Sequence, residues 1–152
     1  MGQVLRSRTL SKTEGHILGI ATVGALATLL PVAAHQLGLL GHLPDPPGRL
    51  FDSDGITESK MAHPLGVPDS LLGLGSYGIT LALVLTARRH EGAARVLGLK
   101  LAADGGAAAF NVVRQVTSFG KLCSWCMGTA LCTAVMVGAG RKLVLREARV
   151  LR

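Results

Sequence analysis

From Ile17 to Ala34 the chain runs for 18 residues without a single Lys, Arg, Asp or Glu. A helix needs about 20 apolar residues to cross a bilayer, and this run continues apolar through Leu37 to Leu40. Two further runs share its character. One extends from about Leu65 to Ala87, interrupted only by Asp69, and ends at Arg88-Arg89-His90-Glu91. The other, Leu122 to Gly140, holds no charge and stops at Arg141-Lys142. Composition agrees with these runs, since only 16% of the 152 residues are charged and 49% are hydrophobic, against about 25% charged in a soluble protein. Disorder is excluded, because disordered chains are polar and charge-rich. Three cysteines are too few for a disulfide-dense secreted scaffold. For the first run the rival is a cleaved signal peptide ending at Val32-Ala33-Ala34; its long apolar core and continuation favour a retained helix.

Between the second and last runs, Gly92 to Val113 carries Arg95, Lys100 and Asp104. Lys100 and Asp104 are four apart, so they share a helical face and can neutralise one another. Ionisable groups in a membrane turn into the bundle or snorkel to its edge, which predicts a third helix buried among the other three. The expectation is therefore an all-α fold: one membrane domain over residues 1–152, a four-helix bundle with spans at 16–38, 66–87, 93–114 and 122–141. A long outer loop occupies 41–64 and a basic cytoplasmic tail 141–152.

The net charge is +7, which taken alone suggests nucleic acid. The basic residues instead sort by side. With both ends inside, the N-terminal segment, the Arg88–Arg95 turn and the tail hold eleven, against four outside (Arg49, Lys60, Arg114 and Lys121). The outer loop collects Asp45, Asp52, Asp54 and Glu58. This is a positive-inside pattern, and it argues for a multi-pass protein of the cell inner membrane and against a nucleic-acid binder. The tail reads as a stop-transfer flank or a short basic helix on anionic lipid.

Gly73-Leu74-Gly75-Ser76-Tyr77-Gly78 matches the dinucleotide fingerprint but has no strand before it. Small residues at this spacing let membrane helices approach closely, and that packing role is the expectation. Cys123-Ser124-Trp125-Cys126 carries more chemistry. Two thiols three residues apart at a helix start can close a disulfide, and the helix N-terminus, with Lys121 nearby, stabilises thiolate. No His follows Cys126, and no second Cys pair or H-x-x-x-H supplies a zinc set, so no metal is expected; His42 and His63 read as loop surface. Two inert buried cysteines are the plainer alternative. Cys132, about 120° around the helix and about 9 Å deeper, cannot complete the pair. Asp69 and Ser70, at the start of the second span, serve as helix N-caps or bind a polar head group on the side of the Cys pair.

These residues resemble the vitamin K epoxide reductase family, membrane thiol oxidoreductases linked to quinones. The likeness covers roughly residues 14–142 and rests on three elements in order: an acidic loop with Phe51-Asp52 and Glu58-Ser59-Lys60-Met61, the helix opening Gly66-Val67-Pro68-Asp69-Ser70-Leu71-Leu72-Gly73, and Leu122-Cys123-Ser124-Trp125-Cys126. The resemblance implies a four-helix bundle around a quinone of ubiquinone or menaquinone type. It assigns reaction with the quinone to Cys126 and disulfide exchange with a dithiol donor to Cys123. Asp69 falls where the family commonly has an Asn bonded to a quinone carbonyl. Two departures stand out. The family's loop cysteines are replaced by Phe51 and Glu58 (or Ser59), and Ala130 stands where some members place a quinone-binding Tyr.

The reading that follows is a quinone-dependent thiol oxidoreductase. Cys123 and Cys126 would be its catalytic residues and Asp69 and Ser70 its cofactor-binding residues, with a thioredoxin-like partner on the outer side. The alternative is a non-catalytic subunit packing in a larger membrane complex.

Overall fold

The computed structural model describes residues 9–150. Arg6, Arg8, Leu151 and Arg152, which belong to the expected cytoplasmic segments, lie outside the described residues. Helix α1 spans Lys12–Gln36, α2 Ser53–Thr57, α3 Asp69–Thr86, α4 Glu91–Phe119, α5 Ser124–Ala139 and α6 Arg141–Val150. Short 3₁₀ turns at Lys60–Ala62 and Pro64–Gly66 link α2 to α3. The described residues contain no strand; Phe51 and Leu122 form a single isolated parallel bridge.

Local chemistry sets the helix ends. Ser11 and Glu14 form a reciprocal capping box at the start of α1: the Glu14 N–H donates to Ser11 Oγ (3.2 Å) and the Ser11 N–H to Glu14 Oε2 (3.1 Å). Helix α4 stops at Gly120, whose left-handed backbone (φ 61°) suits a residue without a Cβ. Gly140 separates α5 from α6, which turn 68° away from one another; a Cβ there would collide with Leu101.

Helix α1 packs on α3 and α5, and α4 closes against the same two while also receiving α6. The core is small-grained, with Leu18, Ala25, Ala94, Leu97, Leu101 and Met136 fully buried. Buried hydroxyls bond back to their own helix, as Thr22 Oγ1 does to the Leu18 carbonyl (2.6 Å) and Thr133 Oγ1 to the Thr129 carbonyl (2.8 Å). The large apolar side chains Ile20, Ile79, Leu85, Phe110 and Leu131 face outward instead. Such a surface is at home in lipid, where helix contacts are made by small residues.

Helices α1, α3 and α4 are each long and apolar enough to cross a membrane; α5 passes only together with the bent α6. At about 1.5 Å per residue the 16 residues of α5 reach about 24 Å, short of a hydrocarbon core of about 30 Å. The expected third helix differs from its sequence reading. Helix α4 runs 29 residues and is not buried among the other three. It packs on α3, α5 and α6, and exposes Val96, Leu99, Phe110, Val113 and Val116. Its charges turn to one side, so a buried pair did not require a buried helix. The glycine motif is corrected in part. Gly73 meets α1, where a Cβ would lie 2.9 Å from Leu29 Cδ1, but Gly75 and Gly78 face open space.

Helix α6 rests on α4 through buried Leu143, whose carbonyl oxygen would lie 3.0 Å from a Cβ at Gly98. Backbone cannot yield as a flexible side chain does. Gly98→Val should therefore lift α6 at a cost of about 1–3 kcal/mol. The check is faster hydrogen exchange of the Leu143–Arg149 amides, with exchange in α1 unchanged.

Candidate functional site

Cys123 is the N-cap of α5, with an extended backbone (φ −90°, ψ 117°), and its Sγ accepts the Cys126 N–H at 3.1 Å. Hydrogen bonding to the charged form favours that form, so this geometry supports thiolate at Cys123. The Cys123 N–H in turn donates to Oε1 of Gln115 on α4 (2.9 Å). Cys126 sits one turn further along, half-buried, and both cysteines are free thiols. Cys132 faces Gly24 of α1, where its Sγ would touch an added Cβ at 3.0 Å.

Cys123 has no exposed surface. The segment from Pro44 to Ser53 crosses it as a strap. Leu122 donates its N–H to the Leu50 carbonyl and accepts from the Asp52 N–H, both at 2.9 Å, which forms the bridge to Phe51. Asp45 anchors the strap to α5. Its Oδ1 accepts from Ser124 Oγ (2.5 Å) and Ser53 Oγ (2.6 Å), and its Oδ2 accepts from the Ser53 N–H (2.7 Å). The Ser124 N–H donates to Ser53 Oγ (3.0 Å) and Trp125 Nε1 to the Pro44 carbonyl (3.1 Å). Lys121 pairs with Asp52 at 3.3 Å. Buried His35, at the end of α1, bonds the Leu40 carbonyl through Nδ1 (2.9 Å), and its Nε2, which has no hydrogen-bond partner, lies 3.5 Å from Asp54 and 3.3 Å from Glu58. His42 is bound to Asp54 and His63 to the Ser59 carbonyl, and no cluster able to hold a metal occurs among the described residues.

A cavity of about 280 Å³ lies between α1, α3, α4 and α5, with Ile56, Thr57 and Met61 also in its lining. Cys126, Asp69 and Ser70 all line it, so the structure brings the four sequence-selected residues to one end of the fold. Their local roles differ from the capping expected of Asp69 and Ser70. Pro68 occupies the N-cap of α3 and no side chain caps it. Asp69 and Ser70 instead meet Gln36 of α1, whose Nε2 donates to Asp69 Oδ1 (3.0 Å) and to the Thr57 carbonyl (2.9 Å) while its Oε1 accepts from Ser70 Oγ.

Sequence reasoning missed Gln36, Gln115, Asp45 and Ser53. A lone amide at the end of a largely apolar helix was the available signal for Gln36; Gln115, beside Arg114 and one turn after Asn111, carried none. Asp45 and Ser53 act through a fold of the loop that spacing does not show.

The family model described as the vitamin K epoxide reductase family matches residues 16–139. No curated protein and no solved structure matches the chain.

Burial alone would raise the Asp45 carboxyl, but hydrogen bonds from Ser124 and Ser53 outweigh it and hold Asp45 below the usual carboxylate range. A depressed carboxyl stabilises the fold fully above its unfolded pKa of about 4, and that contribution is lost as pH falls through the folded value. Asp45→Asn should therefore speed modification of Cys123 by dithiodipyridine about tenfold at pH 7, the loss expected for a charged hydrogen bond, in a chain with Cys126 and Cys132 changed to Ala. With Asp45 present the same rise should come only in acid, below about pH 4. Equal rates with and without Asp45 at pH 7 would show that the strap does not guard the thiol.

Proposed function

Because the chain belongs to the vitamin K epoxide reductase family, whose members are membrane thiol–disulfide oxidoreductases acting with quinones, we propose that it passes electrons from an external dithiol to a membrane quinone through Cys123 and Cys126. The observation that carries this reading is the division of the pair. Cys126 lines the cavity, while Cys123 is not part of that lining and is fully buried where the strap is bonded to α5. Two thiols one turn apart with separate access suit one that meets a lipid-borne ring and one that meets a protein thiol.

The cycle needs only these atoms. A partner thiolate attacks Cys123 of the disulfide and releases Cys126 as thiolate; the partner's second thiol then resolves the mixed disulfide and frees Cys123. The reduced pair returns two electrons and two protons to the quinone, giving hydroquinone and the Cys123–Cys126 disulfide. The partner is a thioredoxin-like protein on the outer face, and the quinone is of ubiquinone or menaquinone type. Four spans in the inner membrane, with both termini cytoplasmic and the 41–64 loop outside, put the strap where such a partner can reach it. Phe51 and Glu58 cannot relay electrons, so the partner engages Cys123 directly once the strap lifts. The apolar walls of Leu29, Val32 and Leu72 and the polar groups at one end suit a planar ring with oxygen substituents. A cavity beside Cys126 favours this reading over a packing subunit in a larger complex, which needs none.

An ionised Asp69 only accepts hydrogen bonds, so it suits the hydroxyl of a hydroquinone better than the carbonyl of a quinone. Asp69→Asn adds a donor and should lower the KM for menadione about threefold to tenfold, on the scale of one hydrogen bond, as read in steady-state quinone reduction. In trapping with a thioredoxin-fold protein whose second cysteine is replaced by Ala and whose first is activated as a mixed disulfide with thionitrobenzoate, which leaves as its thiolate, Cys126→Ser should accumulate a mixed disulfide through Cys123, whereas Cys123→Ser should give none. Absence of quinone reduction by the purified protein with any dithiol would falsify the enzymatic reading.

A further inference from the structure

Asp69 and Ser76 stand seven residues apart on α3. Two turns separate them, so they face the same way about 10 Å apart along the axis. Both line the cavity, with Gly73 between them on the same wall. The Asp69 end adjoins Cys126. The Ser76 end is polar for a different reason, an ion pair within the lipid-facing helices. Lys100 Nζ, on α4, donates to both Asp104 oxygens (2.6 and 2.7 Å) and to Ser76 Oγ (2.6 Å). Thr80 Oγ1 completes Asp104 at 3.2 Å. The side chains of Lys100 and Asp104 are only 19% and 11% exposed. Desolvating such a pair is costly, and two apolar residues would join α3 to α4 without that cost.

Hydrogen-bond accounting shows what the pair provides. Lys100 fills an acceptor position on Ser76 and polarises its O–H. Asp104 already takes donors from Lys100 and Thr80, and its contact with Ser76 Oγ is long, 3.4 Å. The Ser76 proton therefore has only a weak partner in the protein and borders the cavity. Asp104 lines the cavity as well, but a carboxylate offers no proton to a carbonyl. Lys100 acts through Ser76.

We infer that Ser76, polarised by Lys100, donates a hydrogen bond to the far oxygen of a para-quinone ring whose near oxygen lies by Asp69 and Cys126. This rests on the quinone reading of the cavity. A para-quinone with one hydrogen bond at each oxygen spans about 11 Å, close to the separation of Ser76 from the Asp69 end, where the Cys126 thiol is the donor to the quinone and Asp69 accepts from the hydroquinone formed. Ser76 keeps its proton throughout; the two thiols supply both electrons and both protons. A hydroxyl backed by a cation steadies the charge that reduction builds on the far oxygen. Ser76 is thus a binding residue and Lys100 a positioning residue.

The test uses the full chain in lipid nanodiscs, with dithiothreitol as reductant and menadione as the probe. Ser76→Ala should raise the KM for menadione about tenfold and shrink the thermal stabilisation by menadione. Reduction of the Cys123–Cys126 disulfide by dithiothreitol, without quinone, should keep its rate. Ser76→Thr, which retains the hydroxyl, should restore binding. The double change Lys100→Met with Asp104→Leu leaves no unpaired charge and should reproduce the Ser76→Ala defect with Ser76 in place. Menadione binding at the parental KM in Ser76→Ala overturns the inference, and parental binding in the double variant overturns the part given to Lys100. If the unaltered protein neither reduces menadione nor is stabilised by it, the quinone reading itself falls, a result distinct from either variant.

Discussion

Lipid offers no hydrogen bonds, and that constraint shapes every polar group in this chain. A polar atom among membrane-spanning helices must find its partner inside the protein. Several hydroxyls do so one turn back along their own helix, as Thr22 and Thr133 do. The remainder gather where α1, α3, α4 and α5 leave space between them. Gln36 holds Asp69 and Ser70, Gln115 holds the amide of Cys123, and Lys100 holds Asp104 and Ser76. Packing by alanine, glycine and threonine brings the helix backbones together, while the bulky aliphatic side chains point outward. The same distribution leaves a cavity with apolar walls and polar ends.

The two thiols are made unequal by position alone. Cys123, as the N-cap, receives the amide proton that helix α5 has to spare. Cys126, inside the first turn, turns toward the cavity. The backbone thus distinguishes the two before any partner or ring arrives. Gln115 fixes the Cys123 amide, and the strap fixes Ser124 through Asp45 and Ser53, so the N-terminus of α5 is gripped from two directions.

Much of this was legible in the sequence because its signals are local. Absence of charge over 18 residues marks α1, and a C-x-x-C before an apolar run marks the start of a helix. The polar opening of α3 was visible for the same reason, though its partners were not. Capping is a contact within four residues and can be read from spacing; Asp69 and Ser70 instead meet Gln36, more than thirty residues away. Asp45 was read only as one acidic loop residue among four, because such a loop has no period to betray its fold or the contact with Ser124. Helix α4 was misplaced by treating a charged pair as a reason to surround the whole helix. One face sufficed, since Lys100 and Asp104 share it with each other and with Ser76.

The strap gives the departures from the family pattern a physical meaning. A loop cysteine would have to approach Cys123 to exchange with it. The residue at one of those places, Phe51, already lies beside the pair, bridged to Leu122 next to Cys123. Phe51 occupies that place and has no redox capacity. On the proposed function, a cover held with hydrogen bonds, each of modest net strength, stands where a covalent relay would act. Such a cover can open and close without any change of oxidation state. On that proposal, exchange at Cys123 would depend on how often the strap lifts and on what a partner gains by displacing Asp45 from Ser124. On the proposed function, the loop sets access and the two remaining cysteines carry all the electrons.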